Sequence, residues 1–191
     1  MDYLIRWDGA NWNPVGNLNQ TNGSIYNRVY ALAVDGTDLY VGGIFTVVDV
    51  LPGTSRIAKW DTLTNTWSAL GAGIPNNSVN ALAVDSSHNV YAGGDFTDVN
   101  AIAEADYIAK WNGSAWSALA GNGAGAGALN GAVNAIALNG TTVYVGGVFT
   151  SVKDTSDTAI SNVTRTLPSG MVRFGLRFPV LHHPLIVLSE R

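Results

Sequence analysis

The sequence predicts an all-β fold built from stacked four-stranded sheets, and three observations lead to that prediction. The chain repeats itself, its turn residues recur at regular spacing, and its strand segments are apolar on both sides. The glycine pairs at Gly42–Gly43, Gly93–Gly94 and Gly146–Gly147 are 51 and 53 residues apart. Self-similarity at a period near 50 is typical of repeat architectures, in which neighbouring units stack to bury a common core.

Each repeat contains four short predicted strands. The copy between Val79 and Leu119 shows them most clearly, because runs rich in valine, tyrosine and tryptophan alternate with turn residues. Asn-Gly and Asp-Gly pairs in the connections supply the positive φ that tight hairpins require. The predicted strands of this copy are a (Val79–Val84), b (Asn89–Gly94), c (Tyr107–Trp111) and d (Ala115–Leu119).

Strand a is apolar on both sides. Strict alternation puts Val79, Ala81 and Ala83 on one side of the strand, and it puts Leu82 and Val84 on the other. A sheet with two apolar faces is expected to lie between neighbours, which is the environment of a propeller blade. An open β-solenoid is the main alternative, although its repeats are usually shorter.

The strand count predicts a partial β-propeller of about three four-stranded blades. The chain begins with strands c–d (Leu4–Leu18), continues with two full repeats (Val29–Gly73 and Val79–Ala120), and ends with strands a–b (Val133–Thr150). The two ends could pair into a third blade, but propellers usually have about 4–8 blades. We therefore expect either a piece of a larger propeller or pairing with a second copy into six blades, with self-association through the open blade faces.

The chain divides into a kelch-like propeller fragment over residues 1–152 and a loop with an aberrant, non-repeat C-terminal tail over 153–191. Thr166 stands where a tryptophan is due, and the remaining residues do not repeat. Shifting the reading frame across Pro168–Phe178 allows the string KWNGSVWSAL, which matches Lys110–Leu119 with one substitution. We hypothesise that this tail is a frameshift product.

Composition narrows the classes of function. The chain is 13% charged with a formal charge of −4 and no basic cluster, which argues against a nucleic-acid partner. It contains no cysteine, which removes disulfides, thiolate metal sites and cysteine nucleophiles. No apolar run approaches the roughly 20 residues that span a bilayer. The repeat begins almost at Met1, so we expect no signal peptide in this chain, and the compartment stays open.

The aromatic, glycine and basic residues of the repeat are predicted to be structural. Six tryptophans occur in pairs at one place in each repeat, which favours packing over a sugar-stacking platform. The glycine pairs lack the context of a phosphate loop, so close backbone packing explains them better. The cation before each leading tryptophan is expected to lay its stem on the aromatic ring. These cations are Arg6, Lys59 and Lys110.

We predict no catalytic, cofactor-binding or metal-binding residue. His182 and His183 lack partners at ligand spacing, and His88 lies in a turn. No Ser-His-Asp or paired-carboxylate arrangement can be assembled. Three aspartates lie in turns or beside a glycine pair without the spacing of a calcium loop: Asp35, Asp85 and Asp95. Turn chemistry accounts, without glycosylation, for the N-x-S/T sequences at Asn22, Asn76, Asn112, Asn139 and Asn162.

A strand ending in Gly-Gly and followed by two aromatic residues along the next hairpin resembles the kelch repeat. In that motif a tyrosine and a tryptophan are separated by six residues. Trp60 and Trp67 keep this separation with tryptophan in the tyrosine position, whereas the other two pairs are closer together. Over residues 3–152 the chain is similar to bacterial repeats that read roughly YVGGDFT, IAKWDG and WSALG, often found in large surface or secreted proteins. Galactose oxidase is also kelch-like, but its copper chemistry needs a cysteine that this chain lacks.

Together with this resemblance, the sequence predicts a non-catalytic β-propeller repeat module for binding or structural scaffolding, from a larger surface or secreted protein. We expect loops at one face to hold a protein or carbohydrate ligand, without a cofactor. Two alternatives stay open. The chain could be a fragment of a propeller enzyme whose catalytic blades are missing, or a truncated or frameshifted gene product without activity of its own.

Overall fold

The structure is a computed structural model that describes residues 3–16, 24–121, 124–153 and 174–176, the last for the backbone alone. Within these ranges the protein is all-β, and its short strands form four separate antiparallel sheets. The described part contains no α-helix, and a single 3-10 turn spans Val99–Ala101. Successive repeats do not continue one another's sheets, so the predicted partial propeller of stacked blades is confirmed.

The chain begins with a two-stranded sheet and continues with two complete four-stranded sheets, as the repeat count predicts. In the second complete sheet, the observed strands agree with predicted strands a to d to within one residue at each end. The first sheet pairs β1 (Ile5–Trp7) with β2 (Trp12–Pro14). The next contains β3 (Val29–Asp35), β4 (Asp38–Gly43), β5 (Ile57–Asp61) and β6 (Thr66–Ser68). The third contains β7 (Val79–Val84), β8 (Val90–Gly94), β9 (Ile108–Trp111) and β10 (Trp116–Ala118).

The last sheet combines the expected strands a and b with a strand from the tail. It contains β11 (Val133–Asn139), β12 (Thr142–Gly147) and β13 (Phe174–Leu176). The rest of the tail, 154–173 and 177–191, lies outside the described residues, and so do His182, His183, Asn22 and Asn162. The frameshift hypothesis therefore stays a prediction.

The three larger sheets each have two different apolar faces. Paired residues on neighbouring strands lie on the same side of a sheet, so the pairing shows which residues each face carries. We call the side rich in Ala, Gly and Tyr the alanine face, and the opposite side the leucine face. The alanine faces carry Ala31, Ala33, Tyr40 and Gly42, then Ala81, Ala83, Tyr91 and Gly93, then Ala135, Ala137, Tyr144 and Gly146. The leucine faces carry Leu32, Val34, Leu39 and Val41, then Leu82, Val84, Val90 and Ala92, then Ile136, Leu138, Val143 and Val145.

The leucine faces of the second complete sheet and of the last sheet each pack on the alanine face of the sheet before them. A Cβ built on Gly42 would lie 2.5 Å from Val79 Cγ1 and 3.3 Å from Leu82 Cδ1. At the next junction, a Cβ on Gly93 would lie 2.5 Å from Val133 Cγ1. The first glycine of each pair therefore provides the space into which the following repeat packs.

The strict alternation predicted for strand a is wrong at its first residue. A β-bulge between Val79 and Ala81 adds one residue to the strand. The bulge turns Val79 to the leucine face, where it reaches Gly42 beside Leu82. The second glycine of the pair lies at this bulge, and a Cβ on Gly94 would overlap the carbonyl oxygen of Ser78. A single added residue leaves no mark in the hydrophobic pattern, which is why alternation failed here.

The hydrophobic core lies between the sheets. The cluster between the two complete sheets contains Tyr40 and Ile57 from one sheet and Val79 and Trp111 from the other. A second cluster joins Leu4 and Val15 beside the first hairpin to Val41 and Trp60, and a third joins β11–β12 to Tyr91 and Ile108. Burial of each large side chain contributes about 1.5–3 kcal/mol to the free energy of folding. Because these clusters lie between sheets, contacts between repeats hold the stack together.

Candidate functional site

Loops that follow the glycine pairs come together with the loops that lead into strand a. Each of the former is anchored by a buried phenylalanine, namely Phe45 and Phe96 at 0% exposure and Phe149 at 3%. The backbone around these anchors is held by hydrogen bonds between the two kinds of loop. Loops positioned by a rigid scaffold are where binding and catalytic residues are most often found.

An asparagine three residues before strand a clamps the loop that follows the glycine pair. The side-chain amide of Asn76 donates to the Thr97 carbonyl at 3.0 Å, and its Oδ1 accepts the Thr97 N–H at 2.9 Å. In the next repeat, Asn130 Oδ1 accepts the N–H groups of Thr150 at 2.8 Å and Ser151 at 2.9 Å. Sequence reasoning assigned Asn76 to turn chemistry and missed this clamp, although the recurring position was visible.

A left-handed residue closes each of these loops at the start of strand c. Arg56 has φ 61° and Tyr107 has φ 62°, a conformation that side chains other than glycine rarely adopt. The Tyr107 N–H donates to the Phe96 carbonyl at 2.9 Å, and its own carbonyl accepts the Gly94 N–H at 3.0 Å. Arg56 makes the same two bonds with Phe45 and Gly43, at 2.8 and 3.0 Å. Because two repeats share it, this strained backbone belongs to the loop architecture.

One cavity of about 300 Å³ opens among the loops of the last two repeats. It is lined by Asp106 and Tyr107 from one loop, by residues 126–130 from the loop into β11, and by Ser151 and Lys153. The lining thus combines a carboxylate, an aromatic residue, an amide and a cation. This is the candidate functional site, and sequence reasoning did not find it because its residues are spread over three loops.

Asp106 ties the walls of the cavity together. Its Oδ1 accepts the Asp98 N–H at 2.9 Å, and its Oδ2 accepts the Gly127 N–H at 3.1 Å. The approach is close, since a Cβ on Gly127 would lie 2.7 Å from Asp106 Cβ. The backbone of Lys153 donates to the Ala128 carbonyl at 2.7 Å on the opposite wall. The cavity is therefore built on a bonded framework, in which both carboxylate oxygens of Asp106 have partners.

The tryptophans of the complete repeats are packing residues. Trp60, Trp111 and Trp116 are 6%, 9% and 4% exposed, and Trp116 Nε1 donates to the Leu70 carbonyl at 2.9 Å. The first pair differs, because Trp7 is 50% and Trp12 is 65% exposed. These two lie in the partial sheet at the start of the chain, away from the cavity.

The expected contact between each cation and its tryptophan is wrong in both complete repeats. Lys110 Nζ lies 5.5 Å from the centre of the Tyr91 ring, and Lys59 Nζ lies 2.9 Å from Asp38 Oδ2. Consecutive strand residues point to opposite faces, so a lysine cannot cover the tryptophan that follows it. Each cation instead reaches strand b of its own sheet. The hydrogen bond to Asp38 raises the pKa of Lys59.

The aspartates and the histidine singled out in the sequence serve turns and junctions. Asp35 Oδ2 and His88 Nδ1 are 2.7 Å apart, linking the turns of neighbouring repeats. Asp95 Oδ1 accepts both the N–H and the hydroxyl of Ser78 at 2.7 Å. Asn112 Oδ1 accepts the N–H of Ala115 at 2.9 Å, as turn chemistry predicts.

Asp85 is partly buried, holds the turn into the next strand, and accepts a hydrogen bond from Tyr91. Burial opposes ionisation of Asp85, but hydrogen bonds from Asn89, Ser87 and Tyr91 outweigh it, and the net effect lowers its pKa. Burial, together with the hydrogen bond that its hydroxyl donates to Asp85 at 3.1 Å, raises the pKa of Tyr91 to about 12. This pair stabilises the hairpin and does not face the cavity.

The described ranges contain no group of three or more His, Cys, Asp or Glu side chains that could hold a metal ion. Within the same ranges, no helix is long and apolar enough to cross a membrane.

Comparison with known proteins identifies no family for this chain. No protein-family model matches the chain, and no curated protein matches it either. Among solved structures, it is similar to the crystal structure of the computationally designed Ika4 protein, with 18% identity and a TM-score of 0.43. That match covers 78% of this chain and 77% of the designed one.

Proposed function

We propose that the protein is a non-catalytic, kelch-like propeller module that binds a ligand in the cavity between the loops of its last two repeats. The observation that carries the proposal is the cavity itself, about 300 Å³ in volume and lined by Asp106, Tyr107, Ser151 and Lys153. Ligand sites are concave and carry a few placed polar groups, and about 300 Å³ is the lower end of their usual size. A single sugar ring or one side chain of a protein partner would fill it.

Binding explains the state of the polar groups better than catalysis. Both carboxylate oxygens of Asp106 accept hydrogen bonds from backbone N–H groups, and Asn130 Oδ1 accepts hydrogen bonds from the N–H groups of Thr150 and Ser151. A general acid or base must instead reach a substrate proton directly. The Tyr107 ring, the Ser151 hydroxyl and the exposed Lys153 also line the cavity and can contact a ligand. An aromatic face beside a cation suits a carbohydrate ring or an acidic side chain.

The proposal is tested by titrating the isotopically labelled full chain with galactose, glucose and N-acetylglucosamine while following backbone amide shifts. We expect one sugar to move the amides of Tyr107, Gly127 and Lys153, and we expect Lys153→Ala to weaken this response. Lys59→Ala is the matched control, because Lys59 pairs with Asp38 away from the cavity. Shifts confined to Trp7 and Trp12 would contradict a site in the cavity.

A further inference from the structure

We propose that two copies of this chain join head to tail into a closed ring, in which β11–β12 of each copy and β1–β2 of the other form one four-stranded blade. This association does not involve the cavity or any ligand. It rests on the faces and edges that the two ends of the stack leave open.

The internal junctions define what a covered face looks like. At each one the leucine face of a sheet meets the alanine face of the sheet before it, with valine and leucine side chains over the first glycine of the pair. The tyrosine of the alanine face is then buried, with Tyr40 at 6% and Tyr91 at 7% exposure. Both junctions follow the same rule, so a third junction of this kind would need the same two faces.

The first complete sheet presents an uncovered leucine face along β3. Leu32 and Val34 on this face are 52% and 70% exposed, and Tyr30, the unpaired residue at the bulge of β3, is 46% exposed. Their counterparts Leu82 and Val84 in the next sheet are partly buried and pack into the core between the sheets. Strands a and b of a preceding blade would cover the β3 face, and the chain has no such strands before it in the described residues.

The last sheet presents the complementary alanine face. Ala135, Ala137 and Tyr144 are all exposed, and Tyr144 has 41% of its surface accessible. The two open faces thus match each other in the way that the internal faces do. They lie on opposite ends of one stack, so a second copy can satisfy both at once.

The strand edges match as well. In the first complete sheet, Tyr40 pairs with Lys59 across β4 and β5, and Leu39 pairs with Trp60. The repeat places Tyr144 and Val143 on β12, and Arg6 and Trp7 on β1, at the same positions. Pairing β12 with β1 of a second copy would set Arg6 against Tyr144, as Lys110 lies over Tyr91. The same pairing would bring Trp7 and Trp12 of one copy against the alanine face of the β7–β10 sheet in the other copy.

The tail strand β13 occupies this edge of β12 in the single chain. Its register sets Gly175 against Tyr144 and Leu176 against Val143. In the proposed blade, Arg6 would lie where Gly175 lies and Trp7 where Leu176 lies. β13 is three residues long, and no described residue forms a further strand beside it. The hairpin β1–β2 of a second copy supplies two paired strands and two tryptophans. On association it would therefore replace β13 with strands c and d, which follow strand b in each complete repeat.

The count of blades selects two copies. A head-to-tail interface closes into a ring only when the rotation between copies completes a circle. One chain closing on itself would give three blades, fewer than the usual range of about 4–8. Two chains give four complete blades and two composite ones, which lies within that range.

Light scattering after size exclusion tests the association on the full chain. We expect a mass of twice 20.0 kDa for the native chain and a halving of this mass for Val34→Glu, which places a charge on the open leucine face. Leu63→Glu is the matched control, because Leu63 is 77% exposed in a turn outside both faces. A native chain that stays at the mass of one copy, or one that grows beyond two copies, overturns the proposal.

A mixing experiment separates loss of the interface from loss of the fold. Ala137→Lys alone should also halve the mass. Mixing it with Val34→Glu should restore twice the mass. At one junction of the mixed ring the introduced glutamate then faces the introduced lysine, and at the other junction both faces are native. The counterparts Ala33 and Val84 pack in one cluster, which supports this pairing. Failure of two folded variants to combine contradicts the proposed geometry.

Cysteine trapping tests the strand pairing itself, and it is clean because the chain has no cysteine. Oxidation of the double variant Arg6→Cys, Tyr144→Cys should give a covalent dimer, since cross-strand partners lie within disulfide reach. A disulfide within one chain would mean closure on itself, and a ladder of larger species would mean an open filament. Either result, or the absence of a crosslink, overturns the two-copy ring. Leu63→Cys with Tyr144→Cys is the control and should not crosslink.

Discussion

The first and last tryptophan pairs have nearly the same local geometry but very different environments. The ring centres of Trp7 and Trp12 are 5.4 Å apart with planes at 51°, and those of Trp111 and Trp116 are 5.5 Å apart at the same angle. Yet Trp12 is 65% exposed and Trp116 is 4% exposed. The hairpin sequence sets the pairing of the rings, while the neighbouring repeat decides whether they are buried.

This difference shows where the stability of the protein resides. A hairpin of two short strands is marginal alone, whereas a sheet covered on both faces adds a buried cluster on each side. The second complete sheet, β7–β10, has a neighbouring sheet on both faces, whereas the sheets at the two ends of the stack do not. Four predictions test this contrast, from the largest expected effect to the smallest.

The largest contrast is between the two second tryptophans. In a Val34→Glu background, where the ends should stay open, Trp116→Ala is expected to cost about 3–5 kcal/mol of the free energy of unfolding. The equivalent Trp12→Ala should stay within about 0.5 kcal/mol, because its ring is mostly exposed. Urea denaturation of both variants provides the measurement. Equal losses would mean that the ends and the middle do not differ as described.

The glycine at the junction is the next test. Gly93→Ala should cost about 1–3 kcal/mol, because its Cβ would lie 2.5 Å from Val133 Cγ1. Adding Val133→Ala should make the two losses less than additive, with a coupling of about 0.5–3 kcal/mol. A double-mutant cycle in urea measures this coupling. Strictly additive losses would place the two residues apart.

The asparagine clamp should have an effect of the same order. Asn76→Ala leaves two backbone groups of Thr97 without partners and is expected to cost about 1–3 kcal/mol. Asn134→Ala is the control, since Asn134 is exposed and has one bond of 3.3 Å, from Asn80. Thermal unfolding compares the two. If the control loses as much as Asn76→Ala, the clamp has no special role.

Alkaline titration should show the smallest effect. The pKa of Tyr91 is raised to about 12, so the folded state favours the neutral phenol. Its contribution to stability is present below the unfolded value near pH 10 and is lost as the pH rises toward 12. Tyr91→Phe should lose less stability over this window than the native chain, as measured by urea denaturation at several pH values. An identical pH profile would contradict the assigned environment.

Much of the fold was predictable because the repeat is written into the hydrophobic pattern and the turn residues. Strand a was placed at Val79–Val84, and the structure has the same bounds. The glycine pair was assigned to close packing, and Gly42 and Gly93 are indeed covered by the next repeat. These features depend on short stretches of sequence that recur.

The rest depended on contacts between distant positions. The bulge at Asn80 adds one residue without changing composition, so alternation placed Val79 on the wrong face. The cavity residues Asp106, Gly127 and Lys153 meet only after three loops fold against one another. The cation contacts failed because the alternation of faces, applied to strand a, was not applied to Lys59 and Lys110.

The separation of the repeats into stacked sheets is tested most directly by nuclear Overhauser contacts in the full chain. The structure predicts contacts from the Val79 methyls to the α-protons of Gly42, and from the Val133 methyls to those of Gly93. It predicts no backbone cross-strand contacts between β6 and β7. Cross-strand contacts joining Thr66–Ser68 to Val79–Val84 would show one continuous sheet and would contradict the stacked arrangement.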